Sequence, residues 1–161
     1  MTYPWSSGEV LTAADLNATT NKAAGSIIRT TNLSISNTTD TIVTFSSSEF
    51  DNDTMWNVSN PTRLTITTAG IYIVSYTLSW ASNSTGERIG WVQKNGTSVN
   101  RWANLRAAGF AAEAWQTGSA LISCVAGDYL QLGCYQSSGG ALNLEVNTAK
   151  YVRLSAARVS A

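Results

Sequence analysis

Between Gly70 and Trp80 the chain alternates with a period of two. Tyr72, Val74, Tyr76, Leu78 and Trp80 fall in one phase, and Ser75, Thr77 and Ser79 in the other. Side chains of an extended strand point alternately to opposite faces, so this pattern fits a half-buried strand of an antiparallel sheet. A sheet with one apolar face needs a second layer to cover it. The rest of the chain from Ser26 onward has the same texture. Short runs rich in Ile, Val, Thr and Tyr are separated by Gly, Asn, Ser and Asp, which predicts strands near 27–35, 41–45, 63–67, 70–80, 88–94, 117–125, 129–135, 142–146 and 151–159. Asn95-Gly96 and Gly127-Asp128 read as hairpin turns. The segment 101–116 is alanine- and tryptophan-rich and interrupted by Gly109, and reads as a strand and loop covering one edge. The expected architecture is an all-β sandwich or barrel, without an internal repeat.

The first 25 residues differ. Thr12 can cap a helix, Asp15 stands where a capping box places an acid, and Leu11 and Leu16 occupy the two positions of a hydrophobic staple. A short helix is predicted from about Ala13 to Ala24, with Gly25 as its stop. Such a helix is too short to stand alone and needs a partner. The chain therefore divides into an arm, 1–25, and a sandwich domain, 26–161.

Composition narrows the function. A chain of 161 residues suits one domain that buries roughly 70% of its unfolded surface. Charged residues are only 12%, and ten basic residues balance ten acidic ones. No net field steers the chain to nucleic acid or to an anionic membrane. No apolar run has the length to insert in a membrane, and Tyr3, Pro4 and Trp5 do not begin a secretion signal. A weakly charged surface rich in Ser, Thr and Asn is expected to be partly hidden in an assembly.

Chemistry is sparse. The chain contains no histidine, which removes Ser-His-Asp and Cys-His catalysis and most zinc sites. With the 127–128 turn read as a hairpin, Cys124 and Cys134 are not opposite, and two buried free thiols are expected. The carboxylates form no glycosidase motif. No enzyme activity and no cofactor is expected. Asp51 and Asp53 are the best calcium candidates, although Trp56 stands where an EF-hand needs glycine. Six tryptophans are many for this length. Trp102 and Trp115, with Arg101 and Arg106, could contact a glycan or a partner chain.

Four segments, in order, resemble the complement C1q/tumour-necrosis-factor superfamily. The run 64–80 (LTITTAGIYIVSYTLSW) resembles its signature aromatic strand after an Ala-Gly turn. The runs 91–96 (WVQKNG), 116–135 (QTGSALISCVAGDYLQLGCY) and 151–159 (YVRLSAARV) are similar to its Lys-Asn-Gly hairpin, its strands around a Gly-Asp turn and its closing strand. The resemblance implies a jelly-roll β-sandwich of about ten antiparallel strands that forms homotrimers. It also implies a core containing Tyr72, Val74, Tyr76, Leu78, Ile122, Cys124, Leu130, Leu132 and Cys134. The run 5–17 (WSSGEVLTAADLN) is similar to a segment common in phage tail and tail-fibre proteins.

Together these resemblances imply a bacteriophage virion protein made in the bacterial host cytoplasm. It would be displayed as a homotrimer on the particle surface as a tail fibre, minor tail protein, head fibre or decoration. Trp5, Leu11 and Leu16 would anchor it to other virion proteins, and the sandwich could touch a host-surface glycan or receptor. The alternatives are a carbohydrate-binding module for host cell-wall glycans and a secreted trimeric C1q-like ligand.

Overall fold

A computed structural model of the chain describes residues 22–97, 100–148 and 151–160. Among them are twelve strands: β1 (Ala24–Ile28), β2 (Leu33–Ile35), β3 (Thr41–Ile42), β4 (Ser47–Asp51), β5 (Leu64–Thr65), β6 (Gly70–Trp80), β7 (Asn83–Lys94), β8 (Arg101–Phe110), β9 (Ala114–Cys124), β10 (Tyr129–Gln136), β11 (Leu142–Leu144) and β12 (Arg153–Ser160). All pairings are antiparallel, and no helix occurs among the described residues. The protein is an all-β two-sheet jelly roll.

β6 organises the seven-stranded sheet. β9 runs along one edge for its full length, from Gly70↔Cys124 to Trp80↔Ala114. β12 occupies the other edge and leads on through β1 to β4, while β11 and β2 continue from the Trp80 end. The five-stranded sheet is ordered β3-β10-β7-β8, with β5 also on β10. Tyr72, Val74, Tyr76, Leu78 and Trp80 point from β6 into the space between the sheets, where Ile122 and Cys124 of β9 meet Val92, Leu130, Leu132 and Cys134 from the opposite sheet; all are buried. Each large aliphatic side chain buried in this way contributes about 1.5–3 kcal/mol. Both cysteines are free. They lie on opposite sheets, and burial pushes both thiols up.

Polar atoms inside the sandwich close on its own backbone. The Tyr76 hydroxyl lies 3.0 Å from the Gly90 carbonyl and 2.9 Å from that of Ala103, and burial pushes its pKa up to about 12. Trp80 Nε1 donates to Gln116 Oε1 at 2.7 Å, and Gln116 Nε2 donates to the Arg88 carbonyl at 3.0 Å. These bonds tie β6 and β9 to β7 and β8 along the side of the sandwich where β8 approaches β9.

Several local expectations change. Gly127-Asp128 is not a hairpin between paired strands. β9 pairs β6 and β10 pairs β7, so the turn is an arch that carries the chain from one sheet to the other. Asn95-Gly96 forms a tight turn, closed by the Thr97 amide on the Lys94 carbonyl, with both residues left-handed at φ 57° and 69°; it opens the longer connection between β7 and β8, whose register resumes at Gln93↔Arg101, and is not by itself a two-residue hairpin loop. The segment 27–35 breaks into β1 and β2, because the Arg29 side chain turns back onto the carbonyls of Thr31 and Thr44. The polar segment 47–51 is a strand, since a sheet-edge position does not demand apolar alternation. The segment 101–116 holds β8 and the start of β9. Ala24 and Gly25 belong to β1, so Gly25 is no helix stop; residues 1–21, with the expected helix and the anchor residues Trp5, Leu11 and Leu16, lie outside the described residues.

Candidate functional site

The alternation that buries Tyr72 and Val74 turns Ile71 and Ile73 outward. Cross-strand register then assembles ranks on the free face of the seven-stranded sheet. Leu121, Ile73 and Ala157 form one rank, opposite one another on β9, β6 and β12. Its apolar members are uncovered: Ile73 is 45% and Leu121 65% exposed, with Ile71, Val125 and Val159 also exposed beside them. Scattered exposed hydrophobic residues are ordinary, but a contiguous group on a flat sheet marks a place for a partner.

The next rank is four serines, Ser119, Ser75, Ser155 and Ser26, across β9, β6, β12 and β1. Ser26 Oγ lies 2.8 Å from Ser155 Oγ and donates to Glu49 Oε2 at 2.8 Å. Arg153 Nη2 closes the end of the rank on Glu49 Oε1 at 2.6 Å. Small hydroxyls keep this part of the face low and flat. A shallow groove of about 350 Å³ runs over it, lined by Ser75, Thr77, Thr117, Ser119, Arg153 and Ser155 among others.

The residues picked from sequence as glycan or partner contacts do not converge. Arg101 stacks on the Trp91 ring at 3.8 Å and pairs with Asp40, on the outside of the five-stranded sheet. Arg106 pairs with Glu87 at 3.2 Å further along the same face. Trp102 is partly buried against the core. Trp115 is 54% exposed, on the other sheet, opposite Ser79. The acidic pair around 51–53 organises a loop. Asp51 Oδ1 accepts the Met55 amide at 2.9 Å and Oδ2 the Trp56 amide at 2.8 Å, while Asp53 accepts from the Thr67 hydroxyl. Among the described residues no group of three or more acidic or thiol side chains gathers in metal-binding geometry.

Sequence reasoning missed Ile71, Ile73 and Leu121. The signal was present, because Ile71 and Ile73 put apolar side chains in the otherwise polar phase of β6. Glu49 and Arg153 carry no signal in sequence, as 104 positions separate them.

No protein-family model and no curated protein sequence matches the chain. Solved structures do. "Structure of Eiger TNF from S. frugiperda" superposes with a TM-score of 0.64 at 9% identity, covering 86% of this chain and 93% of that one. The globular domain of zebrafish complement 1qA protein gives 0.58 at 16% identity, covering 86% and 98%. Murine APRIL at pH 5.0 gives 0.65 at 10% identity, covering 86% and 100%. At such identities the likeness carries the fold, a TNF/C1q-type jelly roll.

Proposed function

We propose that this chain is a non-enzymatic structural protein of a bacteriophage particle, displayed as a homotrimer with the N-terminal arm that precedes β1 docked on other virion proteins. The observation that carries self-association is the uncovered rank of Ile73 and Leu121, with Ile71, Val125 and Val159 around it, on a chain without net charge. A sister copy laid on this face removes that surface from water, at about 25 cal/mol per Å². The resemblance of 5–17 to phage tail segments supports the virion setting. A secreted trimeric ligand would share the fold, but it leaves that segment without a role.

Two measurements test the reading. Sedimentation of the full chain should give about three times its 17.2 kDa mass; a monomer at micromolar concentration refutes the trimer. An antibody to the chain should label purified phage particles, and absence of the chain from washed virions refutes the virion role.

A further inference from the structure

At one end of the five-stranded sheet the β7–β8 ladder opens. Register passes from Asn83↔Phe110 to Glu87↔Ala108, so Ser84, Thr85 and Gly86 stand against the single residue Gly109. The bulged segment folds over the loop after β10. Gly86 has φ 68°, and a Cβ there would sit 1.9 Å from the Ser137 carbonyl oxygen, so only glycine fits. The Glu87 amide donates to Ser137 Oγ at 3.0 Å, and the Ser137 amide to the Glu87 carbonyl at 3.1 Å. The result is an open notch of about 430 Å³ lined by Gly86, Glu87, Arg106, Ala107, Ala108 and Ser137.

The notch is held from inside by a charged residue. Arg88 is 1% exposed. Its Nη1 donates to the Thr85 and Glu87 carbonyls at 3.1 and 2.9 Å, and its Nη2 to the Asn83 carbonyl at 3.0 Å. The guanidinium also lies 5.9 Å from the Trp80 ring. Burying a guanidinium against carbonyls is a costly way to stabilise a sandwich, where an apolar side chain would serve. What it does achieve is to fix the three-residue bulge, and bulges recur where a side chain is aimed at a ligand.

We propose that this notch binds a neutral sugar. Glu87 and Arg106 lie side by side, 3.2 Å apart, with 31% and 69% of their side chains exposed. A carboxylate accepts and a guanidinium donates, each in a planar two-point geometry, so the pair matches the vicinal hydroxyls of a pyranose or furanose ring, which both give and accept. The Ala108 methyl, opposite Glu87 and in the same strand phase as Arg106, offers apolar surface to the C–H side of the ring. An anion would meet the Glu87 carboxylate, and a cation the Arg106 guanidinium. The site stands on the notch alone and needs neither the trimer nor the virion.

The test uses the full chain, labelled with ¹⁵N, and the methyl glycosides of glucose, galactose, mannose, rhamnose and arabinose, each titrated to saturation or to its solubility limit. At least one is expected to shift the Gly86, Glu87 and Ser137 amides along a saturable curve. Arg106→Ala and Glu87→Gln should each weaken that binding tenfold or more, whereas Trp115→Ala leaves it unchanged. Both substitutions are at the surface, and an unchanged melting temperature separates lost binding from lost fold. No saturable shift at these amides with any glycoside overturns the proposal. So does binding that survives both substitutions, binding that follows Trp115, or a stronger response of the same amides to inorganic phosphate.

Discussion

In the middle of the five-stranded sheet the outward side chain is Trp91, and it is 1% exposed; in the middle of the seven-stranded sheet the outward side chain is Ile73, and it is 45% exposed, with Leu121 of the edge strand beside it 65% exposed. Both stand on strands whose opposite phase fills the same core. Trp91 is sealed by its own chain. Gly133 leaves room for the ring at its side, the Arg101 guanidinium lies over its face, and Nε1 donates to Gln93 Oε1 at 3.1 Å. The bonding continues from Gln93 to Gln131 at 3.1 Å. Nothing comparable covers Leu121 and Ile73 among the described residues; in the ranks around them stand Ala157, serines and further exposed apolar side chains such as Ile71. One face is closed by intrachain contacts and contributes to the stability of each copy. The other is left open and contributes once a second copy arrives. Substitutions on the two faces should therefore fail in different assays.

The largest effect belongs to the closed face. Trp91→Ala should cost about 3–5 kcal/mol in urea denaturation, as expected for removing a buried aromatic. Gly133→Ala should cost about 1–3 kcal/mol by overpacking, since its Cβ would lie 2.2 Å from the Trp91 ring. A loss below about 0.5 kcal/mol, the level of an ordinary surface change, would mean that Trp91 is not part of a sealed face.

The open face should behave in reverse. Leu121→Arg or Ile73→Arg is expected to reduce the native mass to that of the 17.2 kDa chain. Denaturation of the isolated chain should move by no more than about 0.5 kcal/mol. A variant that still assembles would relocate the interface elsewhere and break the contrast between the two faces.

How far the sequence shows this contrast depends on what separates the residues. β6 is legible in full, since its five inward positions lie within one run and the period of two is a local property. The arch at Gly127-Asp128 is misread for the same reason. A Gly-Asp pair between two apolar runs is locally identical to a hairpin, and only the pairing of β9 with β6 and of β10 with β7 distinguishes them. Strand β4 escapes because its pattern, Ser-Ser-Glu-Phe-Asp, has no apolar phase. On the surface, Trp102 and Trp115 look alike in sequence, yet one packs on the core and the other stands on the opposite sheet. The ranks and the notch are invisible in sequence because they are assembled across strands, from Ser26 to Ser155 or from Gly86 to Ser137.

A smaller effect tests how the sheets are joined at the arch. Asp128 Oδ1 accepts from Asn95 Nδ2 at 2.7 Å, and Oδ2 from the Val125 amide at 2.9 Å and from Lys94 Nζ at 3.2 Å. The carboxylate therefore clamps the 95–96 turn of the closed sheet to the arch that leaves the open one. The Asn95 bond, with help from Val125 and Lys94, holds the Asp128 carboxyl below its ordinary value against the opposing effect of burial. A carboxyl lowered in the folded state contributes stability above its unfolded pKa of about 3.9 and loses it as the pH falls through the folded value. Wild-type stability should decline with acid below about pH 4, and Asp128→Asn should flatten that decline while lowering stability at neutral pH. An unchanged acid slope in the variant would remove Asp128 from the clamp.

The smallest effect isolates the lid on the closed face. Arg101 contributes through its stack on Trp91 and through the ion pair with Asp40, and a quarter of its side chain is exposed. An exposed cation–π contact is worth about 0.5–1 kcal/mol, and a surface ion pair adds about 0–1 kcal/mol that salt screens away. Arg101→Ala should therefore cost about 1 kcal/mol at low salt, and Arg101→Lys somewhat less, because an ammonium cannot lie flat on the indole. Adding Asp40→Asn to Arg101→Ala should cost almost nothing further. If Arg101→Ala instead changes the native mass and leaves stability alone, the Trp91 face is an interface too, and the division into one sealed face and one open face fails at the residue where it is drawn most sharply.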